Sequence, residues 1–390
     1  MPPLRHVALL IESSRAYGRG LLRGVARYVN ARRHWSVYVQ VRGSEDGAPP
    51  WLSGWTGDGI LARVEDRALE RAIVRTGKPA VDLRGVLDLD MPLLETNDRS
   101  VARLAFEHLA ERGFRAFAYC GYAGANYSER RLRYFPEFVR AAGHVCHVYQ
   151  SPRGRGPAGL SVQEQQAVLF EQELLDWLKQ LPRPVGVMAC NDTRGQQVLN
   201  ACRELRIPVP EEVAVVGVDN DELLCDLSDP PLSSVAPDVE RIGYQAAELL
   251  DRLMDGEPAP PGKIFVEPQG VIARQSTDVL AIDDPEVAAA VRYIREHACD
   301  GIDVNDVVTH VAVSRRSLER RFRRSLERSP NAEIVRVQVR RVQELLVGTD
   351  LPLAAVARLA GFRHAEYMSA VFRQHVGQAP RTFRKLGEQR

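Results

Sequence analysis

The chain reads as two α/β lobes in series followed by an all-helical domain. Three observations predict this. The first 275 residues alternate short β-rich runs with amphipathic helical stretches, the pattern of a parallel sheet. That alternation runs twice, restarting near Gly113. Beyond a polar stretch from Ser276 to Pro285 no strand pattern recurs, and only helices joined by short turns follow. A chain of 390 residues is in any case too long for a single core.

His6 to Ile11 is a buried strand, and Arg19 to Ala31 is a helix with Leu22, Val25, Ala26 and Val29 on one face. Trp35 to Val41 alternates like a strand. Gly59 to Ala62 is a short strand, Asp66 to Thr76 a helix and Pro79 to Leu83 a strand. The second series begins with a strand from Arg115 to Cys120, a helix from Ser128 to Ala142 and a strand from His144 to Tyr149. Ser151 to Gly159, rich in Gly, Pro and Arg, is a loop. Val162 to Gln180 is helical, Pro184 to Cys190 a strand and Thr193 to Leu205 a helix. Val213 to Val218 is a strand closed by Asp219 and Asn220, and Val239 to Met254 is a helix. Doubly wound sheets bind ligands beyond the carboxyl ends of their strands. Asn191 and Asp192 follow one such strand and Asp219 and Asn220 the next, so these polar groups are expected to face one cleft.

Hydrophobic residues make up 45% of the chain and charged residues 26%, a globular balance. No apolar run approaches the roughly 20 residues that span a bilayer. The run from Val7 to Ile11 is too short for the core of an export signal. The expected location is the cytoplasm, with no membrane partner. Cys120, Cys146, Cys190, Cys202, Cys225 and Cys299 lack metal-finger spacing, so they read as reduced thiols, with neither a metal site nor a disulfide framework. The net charge of +1 conceals an asymmetry. Residues 284–390 carry 19 Lys and Arg against 13 Asp and Glu, and the preceding residues carry 33 against 38. A basic tail on an acidic body is the electrostatic footprint of a nucleic-acid-binding module.

The tail repeats one plan. Val304 to Val311 is a short helix, Ala312 and Val313 a turn, and Ser314 the cap of a second helix in which Leu318 and Phe322 face inward and arginines cover the rest. Leu353 to Ala360 is again a short helix, Gly361 supplies the turn, and His364 to His375 is a second helix with Met368 and Phe372 inward. A long helix, about Asn331 to Leu346, connects them. A short helix, a tight turn and a polar-faced helix make a helix-turn-helix unit, whose second helix enters the major groove. One arginine-rich helix is equally a solvated surface; two such units in a basic helical tail are not.

This segment resembles the AraC-type DNA-binding domain over its whole length. The resemblance rests on Ser314 to Phe322 (SRRSLERRF), Val356 to Phe362 (VARLAGF), Tyr367 to Phe372, and the closing Gln378 to Arg384 (QAPRTFR). It implies base-reading positions at Arg316, Glu319 and Arg320 in the first unit and at Ala365, Ser369 and Ala370 in the second. Alanine at the last of these weakens the base contact expected of the second unit. Arg315, Arg323, Arg363 and Arg373 complete the expected DNA-binding set.

The N-terminal part resembles the periplasmic-binding-protein-like effector domain of lactose-repressor relatives. The matching pieces are Leu94 to Asp98 (LETND), Ser128 with Arg131, Val187 to Asp192 (VMACND), Val215 to Asn220 (VVGVDN), Ser233 to Val235 and Gly243 to Leu250. Those relatives begin with their own helix-turn-helix; here the first strand starts at His6. A repressor-type effector domain ahead of an AraC-type tail resembles the family of bacterial xylose-operon regulators. Arg15-Ala16-Tyr17, Ile207 to Glu211, Asp219 to Leu223 and Arg292 to Cys299 add to that likeness.

The resemblance implies a sugar-responsive transcription activator, not an enzyme. It would act on promoter DNA with RNA polymerase, as a homodimer without cofactor or metal, with a monosaccharide, D-xylose first, as effector. Arg131, Asn191 and Asp219 would hold sugar hydroxyls, and Tyr17 would stack on the ring. A cationic donor, an amide and a carboxylate together satisfy vicinal hydroxyls that both donate and accept.

The expected domains are 1–275 for the sensor, 276–285 for a linker and 286–390 for the DNA-binding domain, with helix-turn-helix units at about 303–325 and 353–376. Within the sensor, lobe one is expected at about 1–112 plus 237–260 and lobe two at about 113–236 plus 261–275. The alternatives are the same regulator tuned to another monosaccharide, a sugar-modifying enzyme on the same fold, and an exported binding protein. Gly18-Arg19-Gly20 lacks the spacing of a phosphate loop, and no nucleophile-elbow or zinc-protease motif occurs.

Overall fold

The apolar run after His6 forms β1 (Arg5–Leu10), whose last four residues are buried, as a central parallel strand covered on both faces requires. In the computed structural model, which describes residues 4–32, 34–40, 43, 46–151, 172–278, 284–326, 328–349 and 351–387, the chain divides into two compact units, Met1–Val279 and Leu280–Arg390.

In the first unit β1 pairs in parallel with β2 (Trp35–Val39) and β3 (Gly59–Ala62), and β3 with β4 (Ala80–Asp82). Helix α1 (Ala16–Arg32) buries Leu21, Val25 and Tyr28 against Val7, Leu9 and Leu61 on one face of this sheet. Helix α2 (Arg67–Arg75), capped by Asp66, buries Leu69, Ala72 and Ile73 against Ala8, Leu10 and Ile60 on the other. Strand β5 (Leu94–Thr96) ends the first pass.

The chain then enters lobe two with α3 (Asp98–Glu111), β6 (Ala116–Tyr122), α4 (Asn126–Ala141), β7 (Cys146–Ser151), α5 (Gln172–Gln180), β8 (Val185–Ala189), α6 (Asp192–Glu204), β9 (Val213–Val218), α7 (Glu222–Leu227) and β10 (Ser233–Ala236). It returns to lobe one with α8 (Val239–Met254) and β11 (Ile264–Val266), and crosses back with β12 (Gly270–Ile272). The second sheet has the order β12-β10-β9-β8-β6-β7, with β12 antiparallel to β10 and the other pairings parallel. Helices α1 and α8 pack at backbone distance because both carry glycine at the contact. A Cβ on Gly24 would lie 2.0 Å from Glu240 O, and one on Gly243 2.1 Å from Leu21 O.

Three boundaries differ from the sequence reading. Helix α3 belongs to lobe two, so the first crossing falls at Asn97 and not at residue 112. The α3 face of Ala102, Ala105 and Leu109 is buried, and His108 Nε2 lies 2.8 Å from Thr277 Oγ1 of that lobe. Residues beyond 260 begin in lobe one, because Ile264 to Val266 pair with Leu94 to Thr96. The linker starts later than Ser276. The Ser276 hydroxyl donates to Val215 O (2.6 Å) and accepts from Ser233 N (2.8 Å), and Ser276 and Thr277 are fully buried. At its other end Pro285 is already the first residue of a helix capped by Asp284. The expected loop over 152–159 and the expected helix up to 171 lie outside the described residues, as does residue 41 of the second expected strand.

In the second unit α9 (Pro285–His297) precedes α10 (Val304–Val311), which opens with a capping box between Asp303 and Asp306 and closes on Ala312 at φ +54°. Helix α11 (Arg315–Leu326) buries Leu318, Phe322 and Leu326. Helix α12 (Pro330–Gly348) connects to α13 (Leu353–Leu359), α14 (Ala365–Val376) and α15 (Pro380–Gly387). Gln338 on α12 donates from Nε2 to Ala298 O (2.9 Å) and to Gly361 O (3.3 Å), joining the two halves of the unit.

Candidate functional site

Two strand ends of lobe two and the segment after β1 converge on one cleft of about 280 Å³, lined by Tyr17 with Ser14 and Arg15 on one side and by Asn191, Asp192, Asp219 and Asp221 on the other. Asn191 is held by its own helix: its Oδ1 caps α6 by accepting from Arg194 N (2.9 Å), and its Nδ2 donates to Tyr127 Oη (3.3 Å). Asp219 sits at φ +109° and Asn220 at φ +48°. This sharp turn is secured on both sides. Ser234 Oγ accepts from Asn220 N (3.0 Å) and donates to Asp192 Oδ1 (2.6 Å), while Asp192 Oδ2 accepts from Asp221 N (2.8 Å). Burial, and then the neighbouring Asp219 charge, push the Asp192 carboxyl well above the usual carboxylate range.

Tyr17 packs partly against the core of lobe one, its hydroxyl 2.9 Å from Thr96 Oγ1 and the Arg63 guanidinium 5.0 Å from its ring centroid. Burial raises the pKa of its phenol. Arg131 is not among the residues that line this space. It is 3% exposed, its guanidinium 5.3 Å from the Tyr127 ring centroid. Its Nε donates to Asp98 Oδ1 (2.7 Å), and its Nη1 donates to Cys190 O. Burial disfavours its charge, but Asp98 and Asp219 outweigh that and raise its pKa above the ordinary value. The structure therefore gathers Tyr17, Asn191 and Asp219 around one space, with Arg131 within reach of the Asp219 charge.

In the helical unit Arg316, Arg320, Arg323, Arg363 and Arg373 are exposed. Arg315 is engaged within its own unit, with Nε 3.1 Å from Glu319 Oε1 and Nη1 3.3 Å from Asn305 Oδ1. Ala365 packs partly against the core formed by α12 to α14, and Ser369 Oγ donates back to Ala365 O (2.7 Å). Ala370 is exposed.

Comparison with known proteins matches a XylR N-terminal domain to residues 6–90, a periplasmic binding protein-like domain to residues 106–277 and a helix-turn-helix domain to residues 307–386. The xylose operon regulatory protein of Escherichia coli (strain K12) is 33% identical over an alignment 397 positions long, covering 99% of this chain and 98% of the relative. The chain belongs to the xylose operon regulatory protein family. The family member of Haemophilus influenzae is 30% identical, covering 97% of each chain. A solved family member, described as the structure of xylose-binding transcription activator xylR, superposes with a TM-score of 0.80 at 32% identity, covering 99% of both chains.

As a xylose operon regulatory protein family member, this chain is a sugar-responsive, DNA-binding transcription regulator, with the cleft in its two-lobed unit and two helix-turn-helix units in its tail. Among the described residues no helix is long and apolar enough to cross a membrane. The sequence reading placed Asp192 with the strand-end groups facing the cleft, but not its role in shaping the turn at Asp219. It missed Asp98, which holds Arg131. That pairing spans 33 residues and lies outside strand-end reasoning.

Proposed function

We propose that this regulator takes D-xylose into the cleft between Tyr17 and the strand ends at Asn191 and Asp219, and in response activates genes of pentose use. The observation that carries this is the cleft itself. One aromatic side chain from lobe one faces an amide and a carboxylate from lobe two, a set that pairs with vicinal hydroxyls while a ring rests on the aromatic. The full-length likeness to regulators named for xylose favours that pentose among monosaccharides. Arg131 supports the site by supplying positive charge to Asp219.

The second half of the proposal is the output. Arg316, Glu319, Arg320 and Arg323 of the first unit and Arg363, Ser369 and Arg373 of the second contact promoter DNA, with Arg315 and Ala365 alongside. The regulator works in the cytoplasm as a homodimer and engages RNA polymerase at the promoter. Dimerisation is favoured because one helical tail covers little DNA, and paired half-sites multiply affinity through effective concentration.

A thermal-shift screen of the purified chain against pentoses and hexoses tests the effector. D-xylose is expected to raise the unfolding midpoint most, and Asp219→Ala to cost roughly 1–3 kcal/mol of binding by calorimetry. A larger shift with another monosaccharide reassigns the sugar; unchanged affinity in Asp219→Ala overturns the site. Sedimentation of a monomer at micromolar concentration, with and without DNA, overturns the dimer.

A further inference from the structure

Arg130 and Arg131 are neighbours on α4, yet they converge on the two oxygens of one carboxylate. Arg130 Nε donates to Asp98 Oδ2 (2.7 Å) and Arg131 Nε to Asp98 Oδ1 (2.7 Å). Arg130 also reaches across the lobes. Its Nη2 donates to Glu95 Oε2 (2.6 Å), on β5 of lobe one. Glu95 and Asp98 flank the first lobe crossing, where Asn97 N donates to Val266 O (2.9 Å) of the third crossing. The same helix touches lobe one at a second point: Asn126 Nδ2 donates to Arg84 O (3.0 Å), and Asn126 Oδ1 accepts from Arg84 Nη1 (3.1 Å). At its far end the chain of contacts runs through Arg131 to Cys190 O, the carbonyl just before Asn191. A continuous polar path thus links lobe one, the hinge and the strand end that lines the cleft.

We propose that Arg130 is a positioning residue of the sugar site, tying Glu95 of lobe one to Asp98 so that Arg131 is aimed only while the lobes are held together at this hinge. The inference rests on the reading of the cleft as the sugar site. Its chemistry follows from the guanidinium fork. Arg130 meets two carboxylates from separate nitrogens of one rigid planar fork, a geometry that the point-like ammonium of lysine does not hold. Asp98 is 4% and Glu95 6% exposed at the side chain, so both carboxylates depend on that fork for compensation of their burial. Opening the hinge separates Glu95 from Arg130, frees Arg130 to shift, and changes the field at Asp98 that fixes Arg131. Lobe closure and ligand alignment are then one two-state element.

Calorimetric titration of the full chain with D-xylose at about pH 8, where Glu95 is largely ionised, tests this. Glu95→Gln and Arg130→Lys are each expected to weaken binding about fivefold or more. In an Arg131→Lys background the same changes should alter affinity less than about twofold, because their effect travels through Arg131. If Glu95→Gln does not fold, Arg130→Lys, which keeps the charge but not the fork, carries the test alone. Wild-type affinity in the single variants overturns the inference, and so does an equal loss with and without Arg131. A wild-type chain that binds no pentose or hexose overturns the reading of the cleft and this inference with it. A wild-type chain that binds while the variants bind equally well overturns only the inference.

Discussion

Arg131 and Asp98 lie side by side, Nε to Oδ1 at 2.7 Å, with 4% of each side chain exposed. Burying an ion costs its hydration, so each charge here is met by others: Asp98 by Arg131 and Arg130, and Arg131 by Asp98 and Asp219. Asp98 is at the start of α3, immediately after the chain crosses from lobe one, and Arg131 is on α4. The pair therefore welds the entry of lobe two to the helix that backs the cleft.

Removing Asp98 takes a directly bonded carboxylate from both Arg130 and Arg131. Asp98→Ala is expected to destabilise the chain by about 3 kcal/mol or more, read as a lower midpoint in urea unfolding with an unchanged slope. Asp98→Asn, which keeps an acceptor for Arg131 Nε, should cost less. Equal midpoints for Asp98→Ala and the wild type would mean that Arg131 finds another acceptor.

Glu95 gives a pH dependence whose sign can be worked out. Burial, opposed by Arg130 and reinforced by Asp98 and Asp82, pushes its carboxyl up to about 7. A folded-state pKa above the unfolded value means that this group's contribution is fully present below about pH 4.5 and is lost as pH rises through 7. The change across that window is roughly 3 kcal/mol. The stability of the wild type relative to Glu95→Gln should therefore be greatest near pH 5 and least near pH 8. A difference that is flat or rises with pH counts against a protonated Glu95.

Two glycines of the helical unit separate backbone strain from collision. Gly361 is at φ +81°, and a Cβ there would lie 2.5 Å from Ala298 O and 2.9 Å from Gln338 Nε2. Gly377 is at φ +80° with nothing within 4 Å of such an atom. Gly377→Ala should cost about 1 kcal/mol, the penalty for a left-handed alanine. Gly361→Ala should cost clearly more than about 2 kcal/mol, because the junction of the two halves must also move. Equal losses would mean that the junction yields freely.

The parts of this molecule legible in its sequence are those set by local chemistry. The first helix-turn-helix unit follows from Ser314 and the Leu318–Phe322 stripe, and the second from Gly361 with Met368 and Phe372. The strand-end positions of Asn191 and Asp219 follow from where apolar runs stop. The lobe boundaries were misread because β5 and β11 are three residues each, too short to show a period. What makes them strands is their pairing with each other, 170 residues apart in the chain. Arg131 reads in sequence like any helix-surface arginine, and only the fold brings Asp98 to it. Ala365 and Ser369 read as open positions, but core packing and a back-bond to the helix occupy them.

That occupation sharpens the division of labour between the two recognition helices. On the first, Arg316 and Arg320 are exposed, and the Arg315–Glu319 pair is a surface ion pair with side chains 57% and 45% exposed. Such a pair is worth little and separates readily when DNA arrives. Arginine can then take both acceptors of a guanine edge, and Glu319 can accept from cytosine. On the second, Ala365 is partly in the core and Ser369 already donates to Ala365 O, so neither can make a two-pronged base contact. Arg363 and Arg373 are exposed and so available to phosphates. Arg320→Ala is therefore expected to cost roughly 1–3 kcal/mol on the preferred site and to relax preference at one base pair. Ser369→Ala should change affinity little and evenly across sequences, whereas Arg373→Ala should weaken all sequences alike and flatten the salt dependence. Selection from randomised half-sites with each variant reads these outcomes directly. A loss of base preference in Ser369→Ala, with none in Arg320→Ala, would reverse the assignment.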